Sequence, residues 1–115
     1  MVEDEQAVRH VVKRVLELQG YTVFAARNGY EALRVARERE GRIDLVMTDV
    51  VLPEMSGPAI VERLLAEWPH AKVLYMSGYA AEEATKRGLL EPGTALLKKP
   101  FTLDELARAV RGVLG

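Results

Sequence analysis

A small set of polar residues in this sequence could share one chemical task. These residues are Glu3, Asp4, Asp49, Ser77 and Lys99. Carboxylates that lie together repel one another unless a cation neutralises them, and hard oxygen ligands suit Mg²⁺. An aspartate can also form an acyl phosphate when a metal and an ammonium group offset the charge of the phosphoryl oxygens. The residue types therefore predict a magnesium-dependent phosphoryl site, with Asp49 as the nucleophile and Lys99 as the ammonium group.

Two alternating hydrophobic periods surround these residues and predict the elements that position them. Apolar residues at steps of three and four predict five helices: over 5–18, after Asn28-Gly29, from Ser56-Gly57-Pro58 to Trp68, over 80–90, and after Thr102. Thr102 also starts a capping box with Glu105. Short apolar runs predict strands at 21–26, 43–48, 72–76 and 95–97. This alternation is typical of right-handed βαβ units, and it predicts an α/β fold with a parallel sheet between two helical layers.

The candidate residues all follow predicted strands or precede the first helix. In an open parallel sheet, ligands collect beyond the carboxyl ends of the strands. We therefore expect the polar residues to meet in one crevice. Ser77 would supply a hydroxyl donor there, and Gly78 beside it would let the backbone approach closely.

Composition limits the classes of function. The length of 115 residues predicts one domain over 1–115, with 49% hydrophobic and 29% charged residues. The absence of cysteine excludes disulfides, a thiolate nucleophile and zinc ligation by sulfur. The net charge of -1 and the lack of a long apolar run predict no direct binding to nucleic acid or membrane, and a cytoplasmic location.

Four motifs in this order and spacing resemble the receiver domains of two-component response regulators. They are Val-Glu-Asp-Glu at 2–5, Thr-Asp-Val-Val-Leu-Pro-Glu-Met-Ser-Gly at 48–57, Met-Ser-Gly-Tyr at 76–79 and Lys-Lys-Pro-Phe at 98–101. The resemblance spans nearly the whole chain. It implies a flavodoxin-like three-layer α/β/α sandwich with five parallel strands in the order 2-1-3-4-5. The wording of the motifs is most similar to receivers attached to hybrid sensor histidine kinases.

The resemblance also assigns roles to residues at the metal. It implies that Asp49 is the phosphoacceptor and that Asp49 and Asp4 bind Mg²⁺, or Mn²⁺, directly. Glu3 would act through a water molecule, and the backbone carbonyl of Val51 would complete the protein ligands.

Further roles concern the phosphoryl group. Ser77 and Lys99 would bind the phosphoryl group and take part in the switch, and the peptide bond before Pro100 would be cis. Val51 and Tyr79 occupy the positions that tune the lifetime of the acyl phosphate in the family. Neither side chain carries a carboxylate or amide to orient water, so slow autodephosphorylation is expected.

Two features depart from the family pattern. Only Met1 and Val2 precede Glu3, where receivers usually have a full apolar strand, so we expect a truncated first strand, as in an excised fragment. Leu96 replaces the aromatic residue usually found three positions before the lysine, which places aromatic rotation in doubt as the readout of the switch.

The resemblance therefore predicts a phosphorelay module. A histidine kinase or a histidine phosphotransfer domain would donate the phosphoryl group, and partner contacts would change in response. The domain would catalyse only its own phosphorylation and slow dephosphorylation, and homodimer formation stays open. One alternative is a receiver-like docking module that acts without phosphorylation. Another, a magnesium-dependent phosphatase or a flavin-binding protein, lacks both an aspartate two residues after Asp49 and a Ser/Thr-rich phosphate loop.

Overall fold

The computed structural model describes residues 1–39 and 41–115. In chain order, the elements are α1 (Gln6–Leu18), α2 (Gly29–Glu38), β1 (Leu45–Asp49), α3 (Gly57–Glu67), β2 (Lys72–Ser77), α4 (Ala81–Lys86), β3 (Leu96–Lys98) and α5 (Leu103–Leu114). The predicted helix over 80–90 is shorter than expected, because α4 ends at Lys86 and Gly88 then adopts a positive φ of 69°. The other helices lie where the apolar periodicity predicted them.

The sheet is parallel and extends on one side through two single residues. The strands pair in the order β1-β2-β3, with Leu45 opposite Lys72 and Tyr75 opposite Leu96. Val2 forms parallel bridges to Thr48 of β1 on one side and to Ala26 on the other. The spatial order is therefore Ala26, Val2, β1, β2, β3, which is the predicted 2-1-3-4-5 order.

The first strand is truncated, as the sequence predicted, but the predicted strand at 21–26 is also shorter than expected. The first strand consists of the bridge at Val2, and of the predicted strand at 21–26 only Ala26 pairs with a neighbour. Strands are defined by their partners, and Val2 is the single described residue that pairs with both flanking segments. The aromatic and β-branched run at 21–25 therefore lacks a ladder to join, in spite of its strand propensity.

Side-chain caps set the start of three helices. Asn28 and Ser56 each accept a hydrogen bond from the backbone N–H three residues later, at 2.8 and 3.2 Å. At α5 the predicted capping box is present: the Thr102 hydroxyl accepts from the Glu105 N–H, and the Glu105 carboxylate accepts from the Thr102 N–H. These bonds satisfy amides that the helices themselves leave unpaired.

Two apolar clusters cover the two faces of the sheet. One joins α2 and α3 to Val46 and Tyr75, and the other joins α1 and α5 to Met47 and Met76. Neighbouring strand residues thus point to opposite faces, which produces the predicted three-layer sandwich. In α1 the buried residues are Val12 and Leu16.

An open groove lies at the end of the sheet where the strands begin. Its volume is about 1080 Å³, and Val23, Phe24, Leu45 and Met47 are among its lining residues. The amino group of Met1 also lines it, donates a hydrogen bond to the Phe24 carbonyl at 2.9 Å, and has its pKa lowered to about 6 by burial. The place of the first strand, between the segment at Ala26 and β1, is therefore filled only near the carboxyl ends of the strands.

Among the described residues, none of the helices has the length and apolar character required to span a bilayer.

Candidate functional site

Three carboxylates converge at the carboxyl ends of the strands, as the sequence predicted. Ligand oxygens of Glu3, Asp4 and Asp49 lie within 4.8 Å of one another. Glu3 is fully buried and Asp49 is 5% exposed, whereas Asp4 faces the solvent. One acidic side chain therefore remains accessible from outside, while the other two lie beneath it.

The backbone around Val2 determines where the acidic pair lies. Val2 donates its N–H to the Met47 carbonyl at 2.7 Å and accepts from the Asp49 N–H at 3.2 Å, so Glu3 emerges beside the end of β1. The Glu3 N–H donates to the Ala26 carbonyl at 2.9 Å. One Glu3 carboxylate oxygen also accepts from the Glu5 N–H at 3.1 Å, which fixes the side chain within its own loop.

Lys99 joins the two buried carboxylates. Its ammonium nitrogen lies 2.5 Å from Oε1 of Glu3 and 2.6 Å from Oδ1 of Asp49. The Lys99 N–H donates to the Ser77 carbonyl at 2.7 Å, which attaches the loop after β3 to the end of β2. The Lys99–Pro100 peptide bond is cis. The lysine, as the sequence predicted, lies in the same crevice as the acidic residues.

The surroundings shift the pKa values of the two buried carboxyl groups in opposite directions. Burial raises the pKa of Asp49 to about 8; the neighbouring Glu3 adds to the rise, and Lys99 opposes it. For Glu3, burial also acts against ionisation, but the neighbouring Asp49, the Lys99 ammonium and the Glu5 amide together outweigh it and lower the pKa. The pKa of Lys99 is raised because both carboxylates outweigh the effect of burial. Glu3 and Lys99 are therefore both charged at neutral pH, and Asp49 holds its proton more strongly than an ordinary aspartate.

One oxygen of Asp49 is free to bind a ligand. Of the buried side-chain polar atoms in the described part of the chain, Asp49 Oδ2 alone has no hydrogen-bond partner. A buried carboxylate oxygen without a donor is unfavourable, and a bound cation removes that penalty. Since oxygen ligands with retained waters are what Mg²⁺ prefers, this oxygen and the exposed Asp4 fit such an ion.

Ser77 and the two predicted lifetime positions surround the crevice. Ser77 is buried, and its hydroxyl oxygen accepts from the Tyr79 N–H at 2.9 Å, so its own O–H remains available as a donor. The guanidinium of Arg87 lies over the Tyr79 ring, 4.5 Å from its centroid. Val51 follows β1 and is 64% exposed. Neither lifetime position thus adds a carboxylate or an amide group to the crevice.

Two residues at the site were missed by the sequence analysis. Arg9, on the first turns of α1, donates from Nη1 to the Glu3 carbonyl at 2.9 Å. Gly57 begins α3 directly against β1: a Cβ there would overlap the Asp49 carbonyl oxygen and lie 3.1 Å from the Val50 Cα. The close approach explains a glycine at this helix start, and its position within the 48–57 motif was the one available signal.

Comparisons with known proteins agree on one family. The family model described as the response regulator receiver domain matches residues 1–111. The chain is 44% identical over 115 residues to the sensor kinase CckA of Brucella abortus, covering 99% of this chain and 12% of that protein. It is 32% identical to the probable transcriptional regulatory protein TcrX of Mycobacterium tuberculosis, covering 99% of this chain and 48% of the relative.

A solved structure extends this similarity to three dimensions. The receiver domain of the hybrid histidine kinase CckA superimposes with a TM-score of 0.82 at 38% identity, covering 99% of this chain and 95% of the other. The chain spans about half of the length of TcrX and a smaller share of CckA.

Proposed function

Because this chain belongs to the response regulator receiver domain family, we propose that Asp49 accepts a phosphoryl group from a phosphohistidine and that partner contacts change as a result. In this step an Asp49 oxygen forms a bond to phosphorus as the phosphorus–nitrogen bond of the phosphohistidine breaks. The histidine ring leaves and regains a proton. The similarity to CckA supports a donor of the kinase or histidine phosphotransfer class.

The observation that carries this proposal is the unpartnered Oδ2 of Asp49 inside a cluster of compensating charges. Its companion oxygen Oδ1 is held by Lys99 at 2.6 Å, which fixes the carboxyl group in one orientation. A nucleophile needs one oxygen fixed by its surroundings and one oxygen open to the reacting atom. Asp49 alone among the three carboxylates combines burial, a fixed oxygen and an open one.

The residues that would hold Mg²⁺, or Mn²⁺, are the acidic cluster and the following loop. Asp4 and Asp49 would provide direct carboxylate ligands, the Val51 carbonyl would provide a backbone ligand, and Glu3 would act through water. When bound, the ion would neutralise charge on the phosphoryl oxygens. Glu3 already uses both carboxylate oxygens, for Lys99 and the Glu5 amide, which supports an indirect role.

Lys99 and Ser77 would bind the transferred group. The Lys99 ammonium lies beside Asp49 and can move from the carboxylates to a phosphoryl oxygen without leaving the crevice. The Ser77 hydroxyl can donate a hydrogen bond while still accepting from the Tyr79 amide. These two donors, one charged and one neutral, would compensate the oxygens that the metal does not reach.

A direct test is to incubate the protein with Mg²⁺ and acetyl phosphate and to measure intact mass. We expect a single phosphate adduct that disappears with a chelator and in Asp49→Asn, because the amide removes the nucleophilic oxygen. Asp44→Asn is the matched control: Asp44 is an exposed aspartate that pairs with Arg42 far from the crevice, and its adduct should form as in the unchanged protein. A folded protein without an adduct would contradict the phosphoryl function and would favour a docking module that acts without phosphorylation.

The acyl phosphate should be long-lived, because neither Val51 nor Tyr79 offers a carboxylate or an amide to orient an attacking water. We expect Tyr79→Gln, which supplies an amide at the edge of the crevice, to accelerate loss of the phosphate by about tenfold, which is less than the roughly hundredfold or more that a positioned acid or base contributes. Decay can be followed by mass after removal of acetyl phosphate. The phosphate adduct of Tyr79→Phe, which supplies no polar group, should decay as slowly as that of the unchanged protein. A half-life of seconds for the adduct of the unchanged protein would contradict the prediction.

The wider assignment is that of a phosphorelay module in the cytoplasm. Its chemistry would be confined to its own phosphorylation and dephosphorylation, and a hybrid kinase is the type of protein that the similarity to CckA supports. The responding surface would be α4, β3 and α5, which all follow Ser77 in the chain, with Lys99 between β3 and α5. With Leu96 on β3, the readout would use aliphatic repacking rather than rotation of an aromatic ring.

A further inference from the structure

Arg9 connects α1 to the loop that carries the acidic pair. Its side chain is half-buried, and Nη1 donates to the Glu3 carbonyl at 2.9 Å and, at the limit of hydrogen bonding, to the Asp4 carbonyl at 3.5 Å. Glu5, the N-cap residue of α1, makes no side-chain cap. The guanidinium is therefore the main side-chain link between this helix and the acidic loop.

The two acidic residues differ in how firmly their side chains are held. Glu3 is bonded through both carboxylate oxygens, to Lys99 and to the Glu5 amide. No hydrogen bond or ion pair holds the exposed Asp4 carboxylate among the described residues, and its placement follows from the backbone alone. The groups that restrain that backbone therefore decide where the Asp4 oxygens lie.

We propose that Arg9 is a positioning residue for the divalent-cation site: it fixes the backbone of Glu3 and Asp4 so that the Asp4 carboxylate faces the cation. This inference rests on the metal site of the proposed function. Arg9 itself touches neither the cation nor the phosphoryl group. Metal-binding side chains that neighbouring hydrogen bonds hold in place bind metals more tightly, because less conformational freedom is lost on binding.

Because Arg9 is positively charged, the direction in which metal affinity changes on its removal can test this proposal. A cation close to a metal site repels the incoming ion, so removal of the charge alone should tighten metal binding. Loss of the backbone restraint should weaken it. The direction of the change in affinity therefore separates a positioning role from a purely electrostatic one, and it does so without any measurement of phosphorylation.

The test is calorimetric titration of the full chain with Mg²⁺ and with Mn²⁺, at low ionic strength and without phosphate. For Arg9→Gln we expect about tenfold weaker binding of both ions, the lower end of what loss of a supporting hydrogen bond produces at metal sites. Arg14→Gln on the same helix is the matched control: Arg14 is exposed, makes no described ion pair, and loses the same charge. It should bind both ions as tightly as the unchanged protein, or slightly more tightly.

Each outcome decides one question. If the unchanged protein binds neither ion, the metal site of the proposed function is wrong, and the role of Arg9 falls with it. If it binds them and Arg9→Gln binds equally well or better, the positioning role is overturned while the proposed function stands. Should Arg9→Gln not fold, Arg9→Lys provides the same test, because it keeps the charge but not the planar fork. Weaker binding then supports the proposal, and unchanged binding overturns it.

Discussion

The two ends of the sheet are built in different ways. At the carboxyl ends of the strands, charged residues from three separated segments are held together by ion pairs of 2.5 and 2.6 Å and by backbone hydrogen bonds. At the opposite end, an open apolar groove separates the run at 21–25 from β1. The central position of the sheet is filled at one end by Val2 and is open at the other.

In this structure the strand ends bring the site residues together, although the first strand is only a bridge at Val2. Val2 is paired on both sides, and this one residue delivers Glu3 and Asp4 to the crevice. Stability, in contrast, depends on the apolar area buried along the whole sheet. We therefore expect substitutions at the two ends to differ in their effects on stability, and the predictions below test that contrast.

The largest expected effect comes from a pair of methionines in the same apolar cluster. Met76 is fully enclosed, whereas Met47, 2% exposed, lines the groove. We expect Met76→Ala to lower the free energy of unfolding by about 3–5 kcal/mol and Met47→Ala by about 2–3 kcal/mol, because truncation beside an open groove creates less new cavity. Urea unfolding measures both. Equal losses, or a larger loss at Met47, would show that the groove is closed in solution.

A smaller effect is expected at the close contact between α3 and β1. Gly57→Ala should lower the free energy of unfolding by about 1–3 kcal/mol, because its Cβ must displace the backbone of Asp49. The same change should reduce the yield of phosphate adduct. Gly112→Ala lies on α5, with nothing within 4 Å of the added carbon. This change should instead raise the free energy of unfolding by about 0.5–1 kcal/mol through helix propensity. Parallel chemical denaturation of both variants checks this, and a stable Gly57→Ala would contradict the contact.

A gain in stability, rather than the losses expected at Met76 and Gly57, is expected from a change of charge in the crevice. Without metal, Asp49→Asn should raise the free energy of unfolding by about 1–2 kcal/mol at pH 7, because a buried carboxyl that resists ionisation is replaced by a neutral amide. Thermal and urea unfolding with a chelator measure it. Asn at the exposed Asp44 should leave stability unchanged.

The pH dependence of that difference follows from the direction of the Asp49 pKa shift. The folded-state pKa of about 8 lies above the ordinary value of 3.8, so the folded state binds the proton more tightly than the unfolded state. Asp49 therefore contributes stability that is fully present below pH 3.8 and is lost as the pH rises through about 8. The advantage of Asp49→Asn should grow over the same window. An advantage that shrinks with rising pH would reverse the assignment.

The sequence predicted the crevice better than it predicted the sheet. Asp49 and Lys99 were found because each lies at or just beyond the end of a predicted strand, and the carboxyl ends of parallel strands share one edge. That argument needs the location of strand ends and not their lengths. It holds even though the first strand is reduced to the bridge at Val2.

The features that were not predicted depend on partners distant in sequence. The run at 21–25 has the composition of a strand, but a strand forms only where a neighbour offers a ladder. On α1, Val11 and Leu18 are exposed although they lie at the three- and four-residue steps that predicted the helix, whereas Leu16 is buried. Arg9 was missed because a helical arginine is ordinarily a surface residue, and only the fold shows the carbonyl that it reaches.

The bridge at Val2 also sets the cooperativity of the site. Four backbone amides, those of Val2, Glu3, Ala26 and Asp49, and the Met1 amino group make the main-chain hydrogen bonds that hold residues 1–3 between their neighbours. Segments joined by so few bonds open locally at a lower free energy than the core strands do. Release of this short segment would carry Glu3 away from Lys99 and remove the Val2 carbonyl from the Asp49 amide in one event. The crevice is therefore held or lost as a unit, on the timescale of local opening rather than of global unfolding.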